Sequence, residues 1–214
     1  MTLDETESPR ARAKREQITD AARTLFLSQG YARTSMDAVT QAASVSKQTL
    51  YVYFPGKIEL LAAIVTQELD ALSVYENGAR IETLDSFRTK LLTFAEAITG
   101  RLMQEEAVAL LRLLVGEAIH IPELRSTLRQ TFPARVLALV EAMLRGAHER
   151  KLIVASQPEL AARMFVGPVM SFVALDGLFG TTLPTPPARD TLAYIVDAFL
   201  LTVTKGDRDD HQKS

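Results

Sequence analysis

Residues 34–65 read TSMDAVTQAASVSKQTLYVYFPGKIELLAAIV, and the order of caps, apolar positions and breaks in this run decides the fold. Ser35, preceded by Thr34, is a residue type that caps a helix, because its hydroxyl accepts from a backbone N–H in the first turn. It opens a short helix over residues 36–43, with Met36, Val39 and Ala43 facing inward. Ser44-Val45-Ser46 makes a turn with Val45 as its apolar plug. Ser46 caps a second short helix, Lys47–Tyr53, whose inward residue is Leu50. Phe54 closes it, and Pro55-Gly56 stops it, since proline has no N–H to donate and its ring clashes with the preceding turn.

Working outward toward the N-terminus, residues 15–29 form a longer helix. Ile18, Ala21, Ala22, Leu25 and Phe26 fall at i, i+3, i+4, i+7 and i+8, one apolar stripe, and Gly30 is placed as its stop in the left-handed αL conformation. Two short helices joined by a tight turn behind a longer helix describe a helix-turn-helix. In that unit the second helix enters the major groove. Its polar face carries Lys47, Gln48, Thr49, Tyr51 and Tyr53, side chains that donate to phosphates or base edges and bear no negative charge.

The charge distribution agrees. The 214 residues carry a formal net charge of −2, which on its own argues against nucleic acid. Residues 8–58, however, hold eight Lys and Arg against three Asp and Glu, a charge of +5, while Asp4, Glu5 and Glu7 make the first seven residues acidic. A basic first quarter precedes an acidic, apolar remainder. The basic run 8–15 tracks phosphates or a minor groove, or else is a solvated tail.

The run 34–65 resembles the TetR (tetracycline-repressor) family of bacterial transcriptional regulators. The resemblance rests on Leu50-Tyr51-x-Tyr53-Phe54, the turn after it and Lys57-x-Glu59-Leu60-Leu61, and with the preceding helix it covers about residues 12–65. It implies that Ser46 and Lys47 begin the recognition helix and that Gln48 and Thr49 contact bases or phosphates. It implies phosphate contacts for Tyr51, Tyr53 and Lys57, and a contact and cap at Thr34 and Ser35. Two positions depart from the family pattern. Ser44 stands where glycine is usual and must hold that backbone conformation at some cost, and Thr40 stands where a small alanine is usual.

The rest of the chain repeats the helical period, with no alternating strand pattern. Expected helices span 57–75, 83–102, 105–121, 122–151, 158–179 and 188–204, the first placed to join the DNA-reading head to the body. The fold class is therefore all-α: a three-helix head over residues 13–60, a helical-bundle body for ligand binding and dimerisation over 61–206, a flexible arm over 1–12 and a disordered tail over 207–214. Residues 110–180 also resemble the C-terminal domain of the AefR-like branch of the family, through LLRLLVGEAIHIPELRSTL, PARVLALVEAMLRGAHERKLI and PELAARMFVG.

The stretch 164–183 is apolar almost all round. Asp176, Pro168 and three glycines argue against a membrane span there, and a helix apolar on several sides is buried on several sides. The family resemblance implies a homodimer through the last two long helices, and two heads can then read half-sites about 34–36 Å apart on a palindromic operator. It also implies a pocket for a small, largely apolar effector, still unknown. Arg112, Glu117, His120 and Asp176 are polar groups set in apolar helices, and Met103 and Phe172 are candidate lining. Each of them has an ordinary alternative in a salt bridge, a turn cap, a solvated face or the core.

No cofactor, metal or catalytic residue is expected. There is no Cys, and His120, His148 and His211 are too scattered to ligate a metal together. No glycine-rich phosphate loop, G-x-S-x-G or H-E-x-x-H occurs. The N-terminus lacks the apolar core of a signal peptide. The reading is thus a cytoplasmic regulator, nucleoid-associated when bound to its operator: a repressor released by ligand, or alternatively an activator or a ligand-independent regulator of the same family.

Overall fold

The computed structural model describes residues 8–70 and 81–204. The acidic residues 1–7, the far end of the fourth helix, the break at Gly78 and the tail 207–214 lie outside them. The described residues are helical and contain no strand. In order they form α1 (Pro9–Gln29), α2 (Met36–Ala42), α3 (Lys47–Tyr53), α4 (Lys57–Asp70), α5 (Leu84–Leu102), α6 (Glu105–His120), α7 (Pro122–Glu149), α8 (Pro158–Phe172), a π-helical segment (Val173–Leu178) and α9 (Arg189–Thr204).

The first helix starts well before its apolar stripe. Ser8 accepts from the Ala11 N–H at 3.2 Å and Pro9 sits in the first turn, where its missing donor is not needed. The basic residues expected as an arm are therefore partly helical from Pro9 onward. Gly30 ends α1 at φ +87°, ψ 158°, not in the αL conformation expected of it but in an extended positive-φ region almost restricted to glycine. A methyl group added there would meet nothing within 4 Å, so the penalty is purely conformational. Gly30→Ala is expected to lower stability by about 1–2 kcal/mol, measured by chemical denaturation. An unchanged midpoint would mean that the turn does not need glycine.

The described residues form two compact units, residues 8–67 with 110–131, and residues 68–70 and 81–109 with 132–204. In the first, Ile18, Ala22, Phe26, Val39, Leu50, Phe54, Leu60, Leu61 and Ile64 are buried. The Phe26 and Tyr31 rings meet at 5.3 Å between centroids. This small core fixes the angle at which α3 is held, and α4 leaves α3 with a bend of 62°.

In the second unit α9 packs on α5 and α8. Phe87, Leu91, Phe94 and Ile98 are buried on α5, as is a row of Leu192, Val196, Phe199 and Val203 on α9. The Phe165 and Phe199 rings meet at a tilt of 50°, with centroids 5.3 Å apart. Two forked ion pairs join α5 to α9: Arg88 to Asp197 at 2.5 and 2.8 Å, and Arg189 to Glu96 at 2.6 and 2.7 Å. The Arg88 guanidinium holds the Asp197 carboxyl below its ordinary pKa.

Pro168 sits inside α8. Further on the winding widens to π, and the Phe179 N–H reaches Ala174 O, five residues back, at 2.9 Å. Pro158–Leu178, at mean hydropathy 1.3, is long and apolar enough to cross a membrane by length and composition alone. Phe165, Val169 and Val173 nonetheless pack into the unit, as the inward side of a core helix does.

Candidate nucleic-acid interface

Three serine hydroxyls build the head. Ser8, Ser35 and Ser46 each accept from the N–H three residues ahead and so start α1, α2 and α3. Ser46 also bonds the Thr49 hydroxyl at 2.7 Å, which ties Thr49 down beside the cap. The turn between α2 and α3 puts Ser44 at φ +49°, the left-handed conformation that a glycine would take without strain.

With Leu50 buried, the opposite side of α3 faces out. At 3.6 residues per turn, Gln48 and Val52 each lie within about 20° of the direction opposite Leu50. Lys47 and Tyr51 form one flank, and Thr49 and Tyr53 the other. Lys47, Gln48, Tyr51 and Val52 are exposed, while Thr49 and Tyr53 are half-buried. Val52 is 76% exposed. Sequence reasoning passed it over because it is apolar, although stepping 100° per residue from Leu50 would have found it.

The flanks have their own partners. The Lys47 Nζ lies 2.7 Å from Asp37 Oδ1, with both side chains largely exposed, and the hydrogen bond to Asp37 raises the lysine's pKa. Arg15 of α1 lies over the rings of Tyr53 and Phe54, at 5.8 and 5.3 Å from their centroids. A cation so placed braces the end of α3 against the supporting helix.

Two of the implied contacts turn inward. Thr34 is 1% exposed, and its hydroxyl donates to Gly30 O at 2.8 Å. Lys57 sends its ammonium back under the head. It donates to Tyr31 O at 2.6 Å, Thr34 O at 2.9 Å and Ala32 O at 3.4 Å, and sits 4.3 Å from the Tyr31 ring centroid. Burial pulls the pKa of Lys57 down, and the charge of Glu117 pulls it back up. Burial, Glu117 and Glu59 raise that of Tyr31. Lys57 therefore acts as a strut for residues 31–34, with its three protons occupied, and Thr34 packs where an outward contact was implied. The Lys57 role was not legible, because its carbonyls lie 23 to 26 residues away in sequence, whereas the Thr34 bond is local, to the carbonyl four residues back.

The six candidate pocket residues divide between the units. Arg112, Glu117 and His120 fall in the first and Met103, Phe172 and Asp176 in the second. Arg112, His120 and Asp176 are exposed, Glu117 and Phe172 half-buried, and Met103 buried. The second unit also carries a groove walled by Glu141, Arg145, Glu159 and Arg163, which none of the six lines. Among the described residues no cluster of His, Asp and Glu could hold a metal.

Known proteins match over this whole span. Residues 18–64 fit the profile of the bacterial regulatory proteins of the tetR family, and residues 89–202, more than half of the chain, fit that of the AefR-like transcriptional repressor C-terminal domain. An HTH-type transcriptional regulator of Mycobacterium tuberculosis is 26% identical over 178 residues, 83% of this chain and 81% of that one. The HTH-type transcriptional repressor KstR of Mycolicibacterium smegmatis is 28% identical over 127 residues, 55% of this chain and 61% of that one. Among solved structures, the flavonoid-responsive regulator FrrA superposes with a TM-score of 0.68 at 26% identity, covering 90% of this chain and 95% of that one. These relatives are transcriptional regulators, not enzymes.

Proposed function

The chain belongs to the tetR family of bacterial regulatory proteins, with an AefR-like C-terminal domain, and from that membership and the outward face of α3 we propose that it is a homodimeric repressor that leaves a palindromic operator when a small effector binds. The observation that carries this reading is the face itself. A short helix, capped at its start and braced at its end, presents Lys47, Gln48, Tyr51 and Val52 to the outside from a small rigid core. That is the build of a major-groove reader.

In this reading Ser35, Ser46, Lys47, Gln48, Thr49, Tyr51 and Tyr53 form the contact surface, while Thr34 and Lys57 position it. The dimer forms through α8, the π-helical segment and α9, whose outer sides expose Leu160, Met164, Leu175, Phe179, Tyr194 and Leu201. Exposed apolar groups so concentrated mark an interaction surface. Effector and operator each favour a different spacing of the two heads, and a coupling of about 1–3 kcal/mol changes affinity roughly 5- to 150-fold. That the flavonoid-responsive FrrA is 26% identical supports a small, largely apolar effector. Met103, Phe172 and Asp176 of the second unit are the candidates to contact it, while Arg112, Glu117 and His120 belong to the first unit. The setting is the bacterial cytoplasm.

The test is selection of duplexes from a random pool, followed by fluorescence anisotropy at fixed salt. A two-fold symmetric site bound far more tightly than random DNA is expected, and equal affinity for all sequences would sink the proposal. The Lys47→Ala variant should lose about 0.9 from the slope of log affinity against log salt for each head, near 1.8 for the dimer, on selected and random DNA alike. A slope identical to wild type would mean that Lys47 spends its charge on Asp37 alone.

A further inference from the structure

The outward side of α3 contains one residue that the DNA-contact set leaves out. Val52 is 76% exposed, and it shares with Gln48 the centre of the face opposite the fully buried Leu50. An apolar side chain held in water gains nothing from that place, and its one neighbour of matching orientation is an amide. Four residues of helix separate the two Cα atoms by about 6 Å along the axis, against about 3.4 Å per base step. The pair therefore spans one to two base pairs.

The major groove presents one apolar group, the C5-methyl of thymine, and an adenine edge suits the Gln amide. Resting on the proposal that α3 enters the major groove, we infer that Val52 is a specificity residue that reads the thymine C5-methyl one to two base pairs from the base contacted by Gln48. The flanks do not compete for this role. Tyr51 and Lys47 stand to one side, Lys47 beside Asp37, and Tyr53 lies under Arg15.

The experiment uses the full-length protein and the duplex obtained by selection, with each thymine of one half-site replaced in turn by deoxyuridine, which removes only the methyl. One position is expected to weaken wild-type binding about fourfold, the worth of one methyl-sized group taken out of water. At that position Val52→Ala should bind the thymine and uracil duplexes within a factor of two of each other. Val52→Ser should favour uracil relative to wild type. The substitutions lie on an exposed position, and circular dichroism checks that the variants fold. If no deoxyuridine position discriminates wild type from Val52→Ala while the selected duplex is still bound tightly, the inference is overturned and the regulator reading stands. If no duplex is selected at all, both fall.

Discussion

Replacing Lys57 by methionine is expected to destabilise the head by about 2–4 kcal/mol while leaving the salt dependence of DNA binding unchanged. The ammonium closes three backbone carbonyls, Tyr31 O, Ala32 O and Thr34 O, and rests against the Tyr31 ring. Hydrogen bonds from a charged donor contribute about 1.5–3 kcal/mol each, and partial solvent access reduces the sum. Methionine keeps the stem and its packing but removes the ammonium from all three carbonyls, leaving Tyr31 O only the Thr34 N–H at 3.2 Å. Amide hydrogen exchange should locate the loss in residues 9–67, because the strut holds the turn that leads into Ser35 and α2. A phosphate contact would behave differently. It would remove about 0.9 from the salt slope for each head and leave the free protein as stable as before. That second pattern, in a variant with wild-type exchange protection, would restore Lys57 to the DNA surface.

The contrast explains what the sequence could and could not convey. Caps, breaks and apolar spacing are local, so α2 and α3 fall where Ser35, Ser46 and Pro55 put them. The body helices follow from the same period. Ser8 and Pro9 also announced the true start of α1, but the apolar stripe begins only at Ile18 and drew the boundary inward. Contacts across tens of residues are another matter. The amine of Lys57 meets carbonyls from a turn that only the folded head brings near, whereas Thr34 turns inward on a local bond to Gly30 O. The grouping of residues 110–131 with the head likewise depends on tertiary contacts that no periodicity encodes. The π-helical widening after Pro168 is a third case. A proline predicts a disturbed helix, not which winding relieves it. Val52 differs from all of these, since its position was readable and only the habit of seeking polar readers hid it.

The double substitution Leu175→Glu with Phe179→Glu is expected to yield a folded monomer that binds the selected operator about 10²- to 10⁴-fold more weakly. Both side chains are largely exposed, at 65% and 71%, so charge there does not disturb the core of the unit formed by Phe165, Val169 and Val173. In the dimer proposed above, each substituted face meets its own copy across the two-fold axis, and four carboxylates would be buried together without partners. The same surface has small residues where two helices would have to approach. Gly167 and Ala198 are exposed on α8 and α9, and a methyl group added at Gly167 would meet nothing within 4 Å. Operator affinity falls because the second head no longer binds at the high local concentration set by the first. A single half-site should be bound as well by the monomer as by one head of the wild type, with the salt slope halved. Sedimentation velocity reads the assembly and anisotropy the affinity. A variant that sediments as a dimer would move the interface away from α8 and α9. One that is monomeric yet keeps full operator affinity would show that the two heads do not act together.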